Sequence, residues 1–370
     1  MTSRPRPAIF VTSPVFRKPA WGSNHPLAIP RQTAMLDLCD MLGWMPDSDL
    51  RQTGMASDET LLRFHNSDYL SAFKNACITG KVSAGHRQRY NIGTMENPIF
   101  PGLFERASTT VGGAILAADC ALKGEIAYHP SGGTHHGRPN KASGFCYFND
   151  PVFAILTLLD NGIAKVLYVD LDAHHGDGVQ DAFADNPKIM TISIHEEGRW
   201  PYSGALKDRG SCNQARNMPV PKGFNDSELA YLMDEAVLPI AAGFQPEAIV
   251  ITCGADALSG DPLSGMNLSN GSLWRVVEQL VGLSKVSVVL GGGGYNPWTV
   301  ARYWAGLWGV LSGRVLPAVL PQNAQIMLRG LDSDLVDEDD LEPGWISSLL
   351  DTPNQGKVRQ QIKFIASELQ

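Results

Sequence analysis

The sequence predicts a single α/β domain built on one open, mostly parallel, doubly wound sheet with helices on both faces. Short runs rich in β-branched residues recur along the chain and are apolar almost throughout, as strands buried on both sides are. Segments of helical spacing separate these runs, so successive strands are joined by crossover helices rather than tight hairpins. The 37 glycines and 24 prolines are scattered over 370 residues, and no cluster of them marks an inter-domain linker.

In chain order, a strand is expected at Ala8–Thr12, then helices at Pro30–Leu42, Asp68–Ala76 and the alanine-rich Leu103–Leu122. A strand at Glu125–His129 runs into a glycine-rich turn and a helix at Pro151–Asn161. Strands at Lys165–Asp172 and Lys188–His195 precede a helix at Asp226–Ala242. The last alternation is strand Glu247–Gly254, helix Ser272–Leu283, strand Val286–Gly291 and helix Pro297–Leu311. No internal repeat is present. Asp332–Glu342 reads as a solvated acidic loop, and the tail from Gly344 to Gln370 as polar and helical. The chain thus divides into a main domain, 1–314, and an extension, 315–370, packed on that domain or engaged in an oligomer contact.

Composition bounds the function. With 44% hydrophobic and 18% charged residues the chain has the make-up of a soluble enzyme. A formal net charge of −8 and the lack of a Lys/Arg cluster argue against direct nucleic-acid binding. The six cysteines lie far apart without a CxxC pair, which suits reduced, buried thiols. The N-terminus lacks the apolar core of a secretory signal, and the apolar stretches are too short for a membrane span. A cytoplasmic location is expected.

In parallel sheets ligands bind beyond the carboxyl ends of the strands, and there the polar residues gather. The run from Lys165 leaves its strand as Asp170-Leu-Asp172-Ala-His174-His175-Gly-Asp177. Asp172 and His174, two apart on an extended segment, would face one ion, with Asp256 beyond a separate strand as third ligand. Two carboxylates and one imidazole leave coordination positions open, the pattern of a catalytic metal. The competing reading, an aspartate capping the next helix, would have to hold at several strand ends at once. His135 and His136 sit on a glycine-rich turn, where neutral imidazole serves as base and then acid. Asp170 and Asp177 flank the metal ligands and could orient the imidazoles. Tyr295 follows four glycines. That run lacks the Gly-Lys-Ser/Thr ending and the GxGxxG spacing of a phosphate cradle, and a phenol held there suits an oxyanion donor.

Ser131–Gly137 (SGGTHHG), Ala142–Asp150 (ASGFCYFND), Val169–Val179 (VDLDAHHGDGV), Gly254–Asp256 with Gly260–Pro262, and Gly291–Tyr295 resemble the zinc-dependent histone deacetylases, collinearly from Ile9 to Ser312. His25-Pro26, Gly93–Glu105 and Trp298–Gly313 look closer to bacterial acetoin-utilisation deacetylases and related amidohydrolases. The resemblance implies the arginase–deacetylase fold and hydrolysis of an acetylated amine: acetyl-lysine of a protein, or a small N-acyl amide. It implies one catalytic Zn2+, with Fe2+ as the alternative, on Asp172, His174 and Asp256. His136 matches the general base, His135 the second histidine that stabilises charge, and Tyr295 the tyrosine that bonds the scissile carbonyl. The pairing of Asp170 with His135 and of Asp177 with His136 rests on the same likeness. Phe145 matches one wall of the substrate tunnel, Trp200 stands where the opposite wall is formed, and Gly144 offers a carbonyl to the substrate. Leu263 and Glu96 match rim positions, Glu96 standing for a shorter aspartate that grips a peptide backbone in relatives. Leu263 replaces the glutamate of polyamine-specific members. Arg31 matches an arginine of the cavity associated with acetate release. Asp170, Ser193 and main-chain oxygens around Asp172, His174 and Ile194 match a structural K+ site.

Three rivals frame this reading. An arginase-like enzyme with two manganese ions needs a shorter DAHxD spacing, whereas His175-Gly176 separates His174 from Asp177 here. A non-catalytic acyl-binding module needs a missing ligand, base or tyrosine, and none is missing. A small-molecule amidase would share the site and differ only at the rim.

Overall fold

The computed structural model describes residues 6–369; Met1–Pro5, the start of the segment read above for a leader, and Gln370 lie outside the described residues. Eight strands form one sheet: β1 (Ala8–Thr12), β2 (Leu50–Gln52), β3 (Ile126–His129), β4 (Val166–Asp170), β5 (Ile189–Glu196), β6 (Ala215–Val220), β7 (Ala248–Thr252) and β8 (Val286–Leu290). Their order is β2-β1-β3-β8-β7-β4-β5-β6, and every neighbouring pair is parallel. The expected sheet is therefore present, and it is parallel throughout. Its four central strands, β3, β8, β7 and β4, are the ones whose outgoing loops carry the histidine pair, the tyrosine and the candidate metal ligands.

The two strands that periodicity missed lie at the sheet's edges, where the apolar signal fades. β2 is three residues long and partly exposed. β6 carries Arg216 and Asn217 and ends with Pro219-Val220, and an edge strand tolerates a proline that a central ladder would not. Two boundaries also move. β4 stops at Asp170, so Asp172 and His174 stand on the loop beyond it rather than on the strand. The helix expected at Asp226–Ala242 is three segments, Asp226–Leu232, a π turn at Met233–Val237 and Leu238–Phe244. The Leu238 N–H bonds five residues back to the Met233 carbonyl. The widened turn lies beside Pro239, whose ring offers no N–H and crowds the preceding turn.

Apolar side chains fill both faces of the sheet. On one face Phe10, Tyr128, Ile251, Trp304 and Trp308 form the larger cluster; on the other, Val11, Ala117, Ile155, Val250 and Val288 pack under Leu103–Leu122 and Asp150–Asp160. A third, aromatic cluster around Tyr69, Phe73 and Phe148 supports the histidine loop from the side. Helices Asn270–Val281 and Pro297–Leu311 meet at Gly306, where an added Cβ would lie 2.0 Å from Trp274. Among the described residues no helix is long and apolar enough to cross a membrane.

The extension joins the larger core instead of lying on the surface. Leu320, Leu328, Trp345, Leu349, Ile362 and Ile365 are all buried in it. The buried Arg302 guanidinium donates to the Ser348 carbonyl at 2.7 Å and pairs with Asp351. Trp345→Ala should therefore cost about 3–5 kcal/mol of global stability. In urea denaturation followed by fluorescence and circular dichroism, a single shifted transition is expected; unchanged stability would show the tail to be an accessory.

Candidate functional site

The site is assembled where β4, β7, β8 and β3 release their chains. Past β4 the loop bends so that the His174 N–H donates to Asp172 Oδ1 at 3.0 Å, while the Asp172 N–H donates to Asp170 Oδ1 at 3.1 Å. Asp256 stands on the short 3-10 turn Ala255–Ala257 after β7 and accepts the Ala173 N–H at 3.0 Å. The Gly293 N–H, from the glycine run after β8, donates to Asp172 Oδ2 at 2.6 Å. His174 Nδ1 lies 3.0 Å from Asp256 Oδ2 and 3.2 Å from Asp172 Oδ1, and the three side chains offer ligand atoms within 4.8 Å of one another.

All three residues are buried, which makes the electrostatics severe. Burial, followed by the Asp172 charge, pushes the Asp256 carboxyl up to about 6. Burial acts the same way on Asp172, but the charges and hydrogen bonds of His135 and His174 override it and hold Asp172 below the usual carboxylate range. Burial alone would lower His174; its bonds to Asp172 and Asp256 instead raise it to about 10. Two carboxylates facing each other out of water call for a cation between them, and this oxygen–oxygen–nitrogen donor set suits zinc or ferrous iron. The surrounding backbone is built for close approach. A Cβ on Gly293 would lie 2.1 Å from Asp256 Oδ2, and one on Gly254 would lie 2.3 Å from Asp172 Oδ2. The residues fit a single divalent ion.

The adjacent histidines, ring centroids 3.9 Å apart, meet different partners. His135 Nδ1 is 2.7 Å from Asp170 Oδ2, which also accepts the Tyr168 hydroxyl at 2.7 Å. His136 Nδ1 is 2.7 Å from Asp177 Oδ1, and the other Asp177 oxygen pairs with Arg138. Burial would lower His135, but the Asp170 and Asp172 charges raise it to about 9. Burial and the neighbouring His135 charge take His136 down to about 3, beyond what Asp177 restores. Asp177 is itself held down at about 2, where the His136 and Arg138 interactions outweigh its burial. An ionised carboxylate only accepts, so His136 carries its proton on Nδ1 and leaves the Nε2 lone pair free.

Tyr295 is fixed by its N–H, which donates to Asp261 Oδ2 at 2.7 Å, and its ring stands perpendicular to His174 at 6.5 Å. Burial and the nearby Asp256 and Asp172 charges raise its phenol well above the ordinary value, so it remains a donor. Phe145 approaches Tyr295 at 6.0 Å, and Trp200 meets His136 edge-on at 4.6 Å. Gly144 lies between them, since an added Cβ would touch the Trp200 ring at 2.4 Å. A cavity of about 460 Å³ opens here, lined by Glu96, Gly144, Phe145, Trp200 and Leu263 at its sides and by His136, His174 and Tyr295 at its foot. Arg31 donates to the Gly292 and Gly294 carbonyls at 3.0 and 3.2 Å and lines a second cavity of about 360 Å³ beyond Phe145. Ser193 is the register partner of Asp170 on β5, with Ile194 next to it, and its hydroxyl lies 2.8 Å from His195 Nδ1.

Several contributors escaped the sequence reading. Arg138 follows the histidine pair by two residues and binds both Asp177 and Asp181. Tyr168 sits in the interior of β4, where a tyrosine reads as core. Asp261 stands inside the Gly260–Pro262 motif, where the sequence assigns it no role. His25 and Trp21 stack at 4.3 Å behind Phe145 and carried no signal beyond the His25-Pro26 dipeptide.

Comparison with known proteins agrees with this geometry. Residues 25–311 match the histone deacetylase domain model. The chain is 35% identical over 325 residues to the acetoin utilization protein AcuC of Bacillus subtilis, covering 83% of each chain. It is 33% identical to histone deacetylase RPD3 of Saccharomyces cerevisiae, over 85% of this chain and 74% of that one. A crystal structure of an HDAC homologue from Aquifex aeolicus superposes with a TM-score of 0.93 at 34% identity, over 98% of this chain and 100% of that one. A structure of an HDAC homologue complexed with SAHA matches with the same score, identity and coverage.

Gly293→Ala places a methyl group against Asp256 in the ligand cage. Affinity for a divalent ion should fall at least about tenfold, measured by titration of the chelated protein against a zinc buffer, with the circular dichroism spectrum unchanged. Full metal affinity in that variant would refute the cage.

Proposed function

The chain belongs to the histone deacetylase family, and on that footing we propose that it hydrolyses an acetylated amine using one divalent ion held by Asp172, His174 and Asp256. The single observation that supports this most is geometric: three buried side chains offer ligand atoms within 4.8 Å of one another, beside two touching imidazoles whose Nδ1 atoms each lie 2.7 Å from a carboxylate of their own. A zinc or ferrous ion in that set supplies Lewis acidity toward an acyl carbonyl and toward water.

The chain's own residues do the rest. Phe145 and Trp200 admit a flat acyl chain edgewise and exclude bulk water. His136 Nε2 takes the proton of the attacking water, while Asp177, itself fixed by Arg138, keeps Nδ1 protonated and the ring oriented. The same Nε2–H is then placed to protonate the departing amine. His135, balanced by Asp170, sits beside the reacting centre, where positive charge offsets the negative charge that develops on the carbonyl oxygen. The Tyr295 phenol donates to the oxyanion, a contact worth ~3–4 kcal/mol for a well-placed donor. Arg31 and the cavity beyond Phe145 receive the acetate, and Asp170, Ser193 and the main-chain oxygens of Asp172, His174 and Ile194 would hold a structural potassium ion. Residues 1–314 form the catalytic domain, and residues 315–370 are an extension packed on it.

The substrate class we favour is acetyl-lysine of a protein, with the reaction in the cytoplasm. Leu263 offers no charge to a second ammonium, so an acetylated polyamine should have a kcat/KM at least ~10-fold below that of an acetyl-lysine peptide. A steady-state panel of the two decides this, and a polyamine preference reverses the assignment to a small-molecule amidase. Tyr295→Phe should lower kcat by about 10²–10³ with one metal ion per chain retained; near-normal turnover removes the oxyanion role.

A further inference from the structure

We propose that Glu96 is a positioning residue of the acyl slot, whose inward-turned carboxylate holds the Gly144 main chain and so sets Phe145 against Trp200. The inference rests on the reading of this cavity as the acyl passage. Gly144 and Phe145 have φ of +54° and +66°, a region that a phenylalanine enters only when its surroundings hold it there. The Gly144 N–H donates to Glu96 Oε1 at 2.5 Å. Glu96 Oε2 accepts from Asn91 Nδ2 at 2.9 Å, and the same amide donates to the Ala142 carbonyl at 3.2 Å. Two chain segments are thus clamped at neighbouring points immediately before the wall residue.

The clamp has leverage on the chemistry because Gly144 is wedged between other site residues. An added Cβ there would lie 2.4 Å from the Trp200 ring and 2.6 Å from His136, so any drift of this backbone alters the slot's width at the base itself. From behind, His25 meets Phe145 edge-on at 4.5 Å, and its Nε2 lies 3.2 Å from the Glu96 carbonyl. Both oxygens of the Glu96 carboxylate are engaged within the chain. The side chain that this loop does turn outward is Met95, 92% exposed. Glutamate's length is what the contact requires. Removing one methylene draws the carboxylate back by about 1.5 Å and takes the Gly144 N–H out of hydrogen-bond range.

Length and charge can be separated by substitution. Glu96→Asp keeps the charge and loses the reach; Glu96→Gln loses the charge and keeps an acceptor; Glu96→Ala loses both. On metal-loaded enzyme, Asp and Ala should each lower kcat/KM by about tenfold, equally for an acetyl-lysine peptide and for a small acetylated anilide without a peptide backbone. Gln should recover all but about threefold of the wild-type value. In metal-free, substrate-free protein, hydrogen–deuterium exchange over residues 142–147 should accelerate in Asp and Ala and stay near wild type in Gln. Asp outperforming Gln, or a loss confined to the peptide, would mean that Glu96 meets the substrate directly and overturns the proposal. Unchanged exchange in all three variants overturns it as well. If wild-type enzyme turned over neither compound, the reading of the slot would fail while the exchange pattern still decided the clamp.

Discussion

Two carboxylates, Asp172 and Asp256, are buried face to face at the carboxyl edge of a parallel sheet, and much of the surrounding structure answers that arrangement. Like charges out of water are tolerated only with a cation between them and with every remaining lone pair engaged. The chain supplies main-chain N–H groups from His174 and Gly293 to the two oxygens of Asp172, and from Ala173 to one oxygen of Asp256. It then brings glycines 254, 292 and 293 so close that no side chain would fit. The glycine run before Tyr295 is thus the wall of the ligand cage as well as the hinge that delivers the phenol.

The same crowding separates two residues of identical chemistry. His135 and His136 are adjacent in sequence and both buried, and both bond a carboxylate through Nδ1. Their difference lies in the charges around each ring: His135 faces both Asp170 and Asp172, whereas His136 lies beside His135. Asp170 lies 2.7 Å from His135 Nδ1 and accepts the Tyr168 hydroxyl at 2.7 Å. Asp177 is already neutralised by Arg138, and with His135 charged alongside, His136 stays neutral. An arginine outside the obvious motif therefore helps to set which imidazole is proposed as the base.

The slot beside Asp172, His174 and Asp256 is made of loops instead of strands, and its walls are secured one by one. Phe145 is braced by His25 and Trp21, Gly144 by Glu96, and Trp200 by its edge contact with His136. Asp172, His174 and Asp256 leave directly from the ends of central strands and are held by main-chain N–H groups, whereas loop-to-loop bonds fix the walls.

Hydrophobic period was enough to read the central strands and the parallel sheet, and strand-end polarity to single out Asp172, His174, Asp256 and the histidine pair as candidates, because those features are local: buried strands are continuously apolar, and the residues leaving them are not. The edge strands β2 and β6 were not legible, since a strand with one open side needs no apolar run. Nor was the π turn before Pro239, or the burial of Trp345 and Ile362 in the main core, which depends on surfaces made by distant helices. Arg138 on Asp177 and Glu96 on Gly144 are pairings across 39 and 48 positions, decided by how separate segments converge, whereas Tyr168 meets Asp170 two positions further along β4. The sequence by itself determined which chemical groups are present and the strand ends from which they depart. Only the tertiary structure decided their protonation and orientation, because both depend on burial and on neighbours that no local pattern encodes.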